Sequence, residues 1–262
     1  MSQAYVDLLA LARTVANEAA DMVRSSRTGV EVVQTKSSPV DVVTEVDRAA
    51  ESLIFDRLMQ ARPDDGFVGE EGASSESTSG VTWIVDPIDG TVNFLYGIPY
   101  YSVSIGASLG NRVVAGVVVN VETRECFEAT LGGGATCNDR PLKVRAVAPM
   151  SQRLVVTGFG YLADLRAGQA AAVAAMLPRV RDIRRLGSSA LDLCAIGAGR
   201  ADAYLEEGLN PWDMAAGGLV ATEAGARLET RPGVGGGDCL LCAPADGFDE
   251  FAALVEDCGF LR

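Results

Sequence analysis

A run of apolar, β-branched segments in the first half of the chain constrains the fold most. We predict strands at residues 82–86, 101–109, 112–121 and 124–130 from their content of Val, Ile, Tyr and Phe. Glycine-containing turns break this run. The first half of the chain is therefore expected to build a sheet.

Helices are predicted before this run of strands. Apolar residues at helical spacing indicate a helix over residues 3–24. Thr44 with Asp47 three positions later resembles a capping box, which would open a helix that ends near residue 59. The stretch "ASSESTSG" at 73–80 is of low complexity and is predicted to be a mobile surface loop.

The second half of the chain alternates predicted helices with predicted strands. Strands first and alternation later indicate an α+β half joined to an α/β half. We place these halves at residues 1–140 and 141–262 of one compact unit. The predicted helices lie at about 165–177, 188–198, 210–225 and from 247 onward, and the predicted strands at 201–206, 226–230 and 239–243.

The chain has no histidine, and this limits its chemistry. Ser-His-Asp and Cys-His catalysis, histidine phosphotransfer and HExxH metalloproteases are excluded. Acid–base work must then fall to carboxylates, Lys, Tyr or water on a metal ion. The single CxxC pair, Cys239 and Cys242, has no second pair to complete a zinc site, so we interpret it as buried thiols in a strand.

The net charge of −13 argues against a nucleic-acid-binding surface and would repel an anionic substrate unless cations intervene. No apolar run approaches the length of a membrane span. The N-terminal stretch has no basic region before an apolar core, so no signal peptide is predicted. We therefore expect a cytoplasmic protein without membrane or nucleic-acid partners.

Acidic residues sit at the ends of predicted elements, where ligand sites of α/β proteins gather. "WIVDPID" places two of them directly after a strand, "GFVGEEG" places two after a short apolar segment, and "TEVD" and "NPWD" each place one in the first turn of a helix. These residues are Asp47, Glu70, Glu71, Asp86, Asp89 and Asp213.

Most of these carboxylates also have a structural explanation. Asp47 and Asp213 can be helix caps that favour the helix dipole, and the acidic pair at 70–71 can be surface charge. The pair Asp86 and Asp89 resists such an explanation, because like charges close together raise each other's pKa unless a cation neutralises them. With no histidine available, that cation is expected to be Mg²⁺ or Mn²⁺.

Three motifs occur in this order along the chain: "VGEEG", "WIVDPIDGTVNFLYGIPYYSVSIG" and "PWDMAAGGLVATEAGARL". Together they resemble the inositol monophosphatase family of metal-dependent, lithium-sensitive phosphatases, and its bacterial inositol-1-monophosphatases in particular. Residues 36–47 and 184–208 extend the likeness over nearly the whole chain. The resemblance implies a layered αβαβα sandwich of the inositol monophosphatase and fructose-1,6-bisphosphatase type. It also implies an active site between the two halves, and a homodimer.

The resemblance further implies two or three Mg²⁺ ions, which Mn²⁺ could replace. Glu70, Asp86 and the carbonyl of Ile88 would hold the first ion, and Asp86, Asp89 and Asp213 would hold the second. The first half would thus carry most metal ligands.

Catalytic roles are implied for Glu70, Thr91 and Asp47, which would orient the water that attacks phosphorus. The second half would contribute most substrate contacts, although Ser188 and Ser189 can equally be helix caps. The implied substrate-binding positions are Ile88, Asp89, Gly90, Thr91, Arg184, Gly187, Ser188, Ser189, Glu206 and Asp213.

The expected function is Mg²⁺-dependent hydrolysis of myo-inositol monophosphate to inositol and phosphate. Glu206 favours a polyhydroxyl ligand, since a carboxylate accepts hydrogen bonds from vicinal hydroxyls. The alternatives within this fold are phosphatases for histidinol phosphate, 3′-phosphoadenosine 5′-phosphate or fructose 1,6-bisphosphate. A non-catalytic regulatory binding protein is an alternative of another class.

Overall fold

The computed structural model describes residues 2–27, 32–35 and 42–262. Its helices are α1 (Gln3–Ser25), α2 (Glu45–Ala61), α3 (Thr91–Tyr96), α4 (Ala163–Met176), α5 (Ser189–Gly197), α6 (Pro211–Glu223) and α7 (Phe248–Asp257). Short 3-10 helices lie at Met150–Gln152, Leu177–Arg179 and Ala245–Gly247. The strands are β1 (Val32–Thr35), β2 (Val42–Thr44), β3 (Gly66–Gly69), β4 (Ser74–Ser75), β5 (Val81–Asp89), β6 (Ser102–Leu109), β7 (Arg112–Asn120), β8 (Cys126–Thr130), β9 (Gly134–Cys137), β10 (Arg140–Pro141), β11 (Leu154–Thr157), β12 (Asp182–Arg184), β13 (Ala203–Glu207), β14 (Ala226–Pro232) and β15 (Asp238–Pro244).

Two mixed sheets organise the described part of the chain. The larger has eight strands in the order β10-β9-β8-β7-β6-β5-β3-β4, and its neighbours are antiparallel except for the parallel pair β3 and β5. The smaller has five strands in the order β12-β11-β13-β15-β14, with β11 parallel to both of its neighbours. Strands β1 and β2 form a separate antiparallel pair.

Apolar side chains divide the molecule into five layers. Helices α1 and α2 bury residues such as Val15 and Ile54 against one face of the large sheet. Helices α5 and α6 fill the space between the two sheets, and helices α4 and α7 cover the outer face of the small sheet. Burial of apolar area on both faces of each sheet holds this arrangement together. The predicted αβαβα sandwich is confirmed.

Helix α6 packs unusually close to the large sheet. A Cβ at Gly116 in β7 would lie 2.9 Å from the Cα of Ala216 in α6, so only glycine permits this approach. The close contact brings the N-terminus of α6, with Asp213 in its first turn, to the end of the sheet where β5 leaves it.

The structure differs from the sequence predictions in a few elements. Residues 73–80, predicted to be a mobile loop, contain strand β4, which pairs with β3. The hydroxyl of Ser79 also donates to Oδ1 of Asp65 at 2.6 Å, which ties the loop to the neighbouring turn. Strand β11 and the β9–β10 hairpin were not predicted. Of the motif at 36–47, residues 36–41 lie outside the described residues.

Cys239 and Cys242 are buried in β15, as predicted. None of the helices in the described residues combines the length and apolar character that crossing a bilayer requires.

Candidate active site

A bulge in β5 points Asp86 and Asp89 to the same side of the sheet. Asp86 lies opposite Ser104 of β6, whereas Asp89 lies opposite Ser102, so three steps along β5 match two along β6. In a regular strand, residues three positions apart face opposite sides of the sheet. The bulge adds one residue to β5 between Asp86 and Asp89, so that their side chains face the same side. The backbone N–H of Ile88 donates to Oδ1 of Asp86 at 3.0 Å and closes the bulge.

Asp213 completes a cluster of three carboxylates with this pair. One oxygen from each of Asp86, Asp89 and Asp213 lies within 4.8 Å of the others. Burial, together with the charges of Glu70, Asp89 and Asp213, raises the pKa of Asp86 well above its ordinary value. Burial and the charge of Asp89 likewise raise the pKa of Asp213. The ionised forms therefore require a neutralising cation.

The donor set fits a hard divalent cation. Every side chain in the cluster offers carboxylate oxygen, and neither sulfur nor imidazole is present. Glu70 lines the same cavity, and its carboxyl shares a hydrogen bond with that of Asp86. Two carboxyl groups that share a hydrogen bond must also share a proton, which a bound cation would displace. These residues fit Mg²⁺ or Mn²⁺.

The N-terminus of α5 holds the carboxylate of Asp89. The backbone N–H of Ala190 donates to Oδ2 at 2.8 Å, and the N–H of Ser189 donates to Oδ1 at 3.2 Å. The hydroxyl of Ser188 donates to Oδ2 as well, and that of Ser189 approaches Oδ1 at 3.4 Å. Burial raises the pKa of Asp89, and these four donors oppose that shift. They fix the orientation of the carboxylate.

In the structure, the hydroxyl groups of Ser188 and Ser189 therefore bind the carboxylate of Asp89. Ser188 is buried, caps α5 through Leu191, and does not line the cavity. Ser189 lines the cavity, but its hydroxyl also donates to the carbonyl of Asp213 at 3.2 Å.

A second hydrogen-bonded chain runs from α2 to the cavity. The hydroxyl of Thr91 lies 3.1 Å from Oδ1 of Asp47 and 3.1 Å from the carbonyl of Ile88, and its single proton can serve one of them at a time. The backbone N–H of Thr44 donates to Oδ2 of Asp47 at 2.9 Å, which forms the predicted capping box. Burial of Asp47 raises its pKa to about 6.

Glu206 also lines the cavity, whose volume is about 430 Å³. The hydroxyl of Tyr204 donates to its Oε2 at 2.8 Å. The removal of water from around the Glu206 carboxylate raises its pKa to about 7, against the effect of Tyr204 and of the Arg185 charge.

Most of the residues that the sequence nominates meet in this one cavity. Thr91 and Gly90 line it where α3 begins, and Gly187 lines it where the chain enters α5. Asp47 and Ser188 lie behind its wall, each bonded to a residue that lines it. The predicted residues that line the cavity are Glu70, Asp86, Ile88, Asp89, Gly90, Thr91, Gly187, Ser189, Glu206 and Asp213.

Arg184 is the exception, and its neighbour takes its place. The guanidinium of Arg184 pairs with Asp182 at 2.6 Å, and Arg184 lines a separate, smaller cavity. Arg185 lines the candidate active site instead. Adjacent residues of an extended segment point to opposite sides, so an error of one position changes the side.

The sequence analysis missed the part of the wall that follows β11. Phe159, Gly160 and Tyr161 line the cavity from this loop. The signal was available, since loops after strand carboxyl ends carry ligand sites, but strand β11 itself was not predicted. Trp212 lines the cavity too, and its buried indole N–H has no hydrogen-bond partner among the described residues.

Comparison with known proteins gives a consistent result. A model of the inositol monophosphatase family matches residues 5–245. The inositol-1-monophosphatase SuhB of Mycobacterium tuberculosis is 46% identical over 270 residues, covering 95% of this chain and 93% of that protein. Inositol monophosphatase 1 of Bos taurus is 34% identical and covers 87% of this chain and 85% of its own length.

Solved structures show the same likeness. The structure of Mycobacterium tuberculosis SuhB superposes with a TM-score of 0.84 at 43% identity and covers 98% of both chains. The inositol monophosphatase of Thermotoga maritima has a TM-score of 0.86 at 30% identity and covers 96% of this chain and 98% of its own.

Proposed function

The chain belongs to the inositol monophosphatase family, and we propose that it hydrolyses myo-inositol monophosphate to inositol and phosphate with Mg²⁺. It is a phosphoric monoester hydrolase. The observation that carries the proposal is the cluster of Asp86, Asp89 and Asp213, whose oxygens lie within 4.8 Å of one another in a cavity that Glu206 also lines.

Two sets of ligands would hold the metal ions, with a third ion as a further possibility. Glu70, Asp86 and the carbonyl of Ile88 form one set, and Asp86, Asp89 and Asp213 form the other. When bound, the ions would supply Lewis acidity and neutralise the charge of the phosphate. This role accounts for a net negative protein that acts on an anionic substrate.

Thr91 and Asp47 would handle the proton of the attacking water. The Thr91 hydroxyl lies on the cavity wall within hydrogen-bonding distance of Asp47. As water loses a proton to Oγ1 of Thr91, the Thr91 hydroxyl would pass its own proton to Oδ1 of Asp47. A pKa of about 6 suits Asp47 to accept that proton near neutral pH.

Glu206 would select the alcohol. Its ionised carboxylate accepts hydrogen bonds from vicinal hydroxyls, and Tyr204 holds it in place from behind. A ligand rich in hydroxyl groups satisfies this acceptor, whereas an amino alcohol or a base edge offers different donors.

We further propose the division into halves at 1–140 and 141–262. The boundary falls within β10 (Arg140–Pro141), the last strand of the large sheet, and the small sheet begins at Leu154. Asp213 reaches the site from the second half. The homodimer and the cytoplasmic location remain predictions from the sequence.

The test is a phosphate-release screen with Mg²⁺ over inositol 1-phosphate, histidinol phosphate and nucleoside phosphates. We expect the highest kcat/KM for inositol 1-phosphate, activity with Mn²⁺ in place of Mg²⁺, and loss of activity in excess EDTA. Full activity in EDTA would overturn the metal-dependent mechanism. A preference for histidinol phosphate would overturn the substrate assignment and leave the metal site intact.

A further inference from the structure

The loop that carries Glu70 is held from behind by a buried carboxylate. Glu51 of α2 is only 3% exposed. Its Oε2 accepts a hydrogen bond from the backbone N–H of Glu71 at 2.8 Å, and its Oε1 accepts one from the N–H of Ala73 at 2.9 Å. A buried carboxylate requires such donors, because burial removes the water that would otherwise solvate it. Both oxygens of Glu51 are thus bonded to the backbone of one loop.

The backbone of this loop allows the carboxylate to come close. A Cβ at Gly69 would lie 2.6 Å from Cδ of Glu51, so only glycine permits the approach. The N–H of Gly69 donates to the carbonyl of Ala73 at 2.9 Å and closes the loop, while the N–H of Glu70 donates to the carbonyl of Val85 in β5 at 3.2 Å. The backbone is therefore fixed on both sides of Glu70.

The anchored loop places Glu70 beside Asp86. Strand β3 pairs in parallel with β5, with Gly69 opposite Val85, so the next residue of each strand is one of the two acids. The charge of Glu70 raises the pKa of Asp86, which shows that the two carboxyl groups repel each other when both are ionised. A loop free to move would relieve this repulsion by carrying Glu70 away. The bonds to Glu51 oppose that movement.

Helix α2 connects this loop to the proposed proton acceptor. Glu51 follows Asp47 by four residues, so both side chains leave the same face of the helix one turn apart. Asp47 is bonded to Thr91, whereas Glu51 is bonded to the loop. Glu51 itself does not line the cavity of the candidate active site. Any effect of Glu51 on the site must therefore pass through the residues that it holds.

We propose that Glu51 is a positioning residue that holds Glu70 in place for the first metal ion. This inference rests on the proposed function, in which Glu70, Asp86 and the carbonyl of Ile88 bind that ion. The ligand set of the second ion, which is Asp86, Asp89 and Asp213, includes no residue of the loop that Glu51 holds. Loss of Glu51 should therefore weaken the binding of one ion and spare the other.

Glu51→Gln tests the proposal with little change of shape. The amide keeps one accepting oxygen and turns an NH₂ group toward the second backbone N–H, so one of the two bonds is lost. We expect the Kd of one of two Mn²⁺ ions to rise about 10-fold, as it does when a group that orients a metal ligand is removed. The Kd of the other ion should stay within about twofold of the wild type. Calorimetry and the electron paramagnetic resonance signal of free Mn²⁺ measure both constants without substrate.

Glu70→Gln shows which ion is affected and by what route. This variant removes the ligand itself, so it should weaken the same Mn²⁺ ion. Adding Glu51→Gln to Glu70→Gln should then cause no further change in Mn²⁺ binding, because the proposed effect passes through Glu70. General damage to the site, or the loss of one negative charge near it, would weaken the second ion in both backgrounds. That result would overturn the proposal.

Glu223→Gln is the matched control. Glu223 ends α6, and its two carboxylate oxygens accept hydrogen bonds from the N–H groups of Gly132 and Gly134 at 2.8 and 2.9 Å. It thus holds a loop in the same way as Glu51 does, but none of these three residues lines the cavity. Both variants should lower the free energy of unfolding of the metal-free protein, and only Glu51→Gln should change Mn²⁺ affinity. Equal Mn²⁺ affinities in the two variants would contradict the proposal.

Glu51→Asp provides a second test that keeps the charge. Its carboxylate retains both accepting oxygens on a side chain shorter by one methylene, so its effect on Mn²⁺ binding should be smaller and confined to the same ion. If Glu51→Gln does not fold, a folded Glu51→Asp with wild-type affinity for both ions would still overturn the proposal.

The same measurements separate this proposal from the proposed function. Binding of two Mn²⁺ ions that depends on Glu51, without release of phosphate from inositol 1-phosphate, would refute the proposed function and support the positioning role. Hydrolysis of inositol 1-phosphate by a protein whose Mn²⁺ binding is indifferent to Glu51→Gln would do the reverse.

Discussion

Gly158 lies directly beneath the carboxylate of Glu206. A Cβ at position 158 would come within 2.0 Å of both carboxylate oxygens, far inside van der Waals contact. The Tyr204 hydroxyl holds the same carboxylate from another side. The position of the Glu206 carboxylate, the proposed polyol acceptor, therefore depends on the absence of a side chain at residue 158.

Gly158→Ala is expected to displace Glu206 and raise KM for inositol 1-phosphate about 10-fold, roughly the loss of one hydrogen bond to a charged group. The Mg²⁺ concentration for half-maximal activity should not change, because residue 158 does not contact the carboxylate cluster. Gly168→Ala in α4 is the control, since the nearest atom to its new Cβ is 3.9 Å away. A wild-type KM in Gly158→Ala would show that Glu206 does not contribute to substrate binding.

Glu206→Gln is expected to change the pH dependence of activity. Glu206 has a pKa of about 7, and only its ionised form accepts hydrogen bonds at both oxygens. The wild-type kcat/KM should therefore rise as the pH increases through about 7, and this inflection should be missing in the variant. An inflection that survives in Glu206→Gln would assign the titration to another group.

Glu206→Gln should also change stability, and it should stabilise the fold at the pH values where the wild-type carboxylate is ionised. The folded-state pKa of about 7 lies above the unfolded value of about 4.3, so this carboxyl stabilises the fold below about pH 4.3 and loses that contribution as the pH rises through 7. At about pH 8, Glu206→Gln should raise the free energy of unfolding by about 1–3 kcal/mol, with little effect at about pH 4. Chemical denaturation at both pH values measures the difference, and a destabilised variant at pH 8 would contradict the prediction.

Ser188→Ala is expected to weaken metal binding more than it weakens the fold. The lost hydroxyl orients Asp89 and also caps α5. The free energy of unfolding should therefore fall by about 1 kcal/mol, as it does on loss of a helix cap, and the melting temperature should fall with it. In addition, the Mg²⁺ concentration for half-maximal activity should rise about 10-fold, as it does when a group that orients a metal ligand is removed. Ser188→Thr keeps the hydroxyl and should restore both. A lower melting temperature with unchanged Mg²⁺ dependence would leave Ser188 as a cap only.

Asp213→Asn separates capping from metal binding at one position. The backbone N–H of Asn210 donates to Oδ2 of Asp213 at 2.6 Å, and an asparagine oxygen can still accept this bond. Loss of a carboxylate ligand should lower kcat/KM by more than about 10²-fold, while melting of the metal-free protein stays the same or rises because a buried repulsion is removed. Near-normal turnover would show that Asp213 only caps α6 and does not bind a metal ion.

Li⁺ is expected to inhibit at about millimolar concentration, as the family likeness implies. The ligand set of three aspartates could take a small monovalent cation once Mg²⁺ has left, which would retain phosphate in the site. Inhibition should then be uncompetitive with substrate, because Li⁺ binds only after turnover has begun. Steady-state kinetics at several Li⁺ concentrations measure this, and a purely competitive pattern would contradict it.

The sequence predicts best where local chemistry decides the structure. Thr44 and Asn210 begin helices through capping boxes that need only a few neighbouring residues, and both helices start where predicted. The carboxylates of "DPIDGT" were identified for the same reason, since their spacing is local. Their common orientation, however, depends on the register with Ser102 and Ser104 of β6, which a single strand does not reveal.

Several contacts between distant segments could not be predicted from the sequence. The bond from Ser188 to Asp89 joins residues 99 positions apart, and the same serine has an equally good local role as a cap. Gly158 gives no signal in the sequence, because its role is to leave room for Glu206. Strand β11 is only four residues long and carries no alternating pattern strong enough to identify it.

Helix α6 lies between the two sheets, and this position determines when the carboxylates of the cluster can come together during synthesis of the chain. Asp213 leaves the ribosome long after Glu70, Asp86 and Asp89, and it reaches them only when α6 has docked against Gly116. A nascent chain therefore cannot assemble the complete set of carboxylates before α6 has been synthesised and has docked. Binding of a cation by the complete set would therefore be a late step, which only a chain with its middle layer in place could complete.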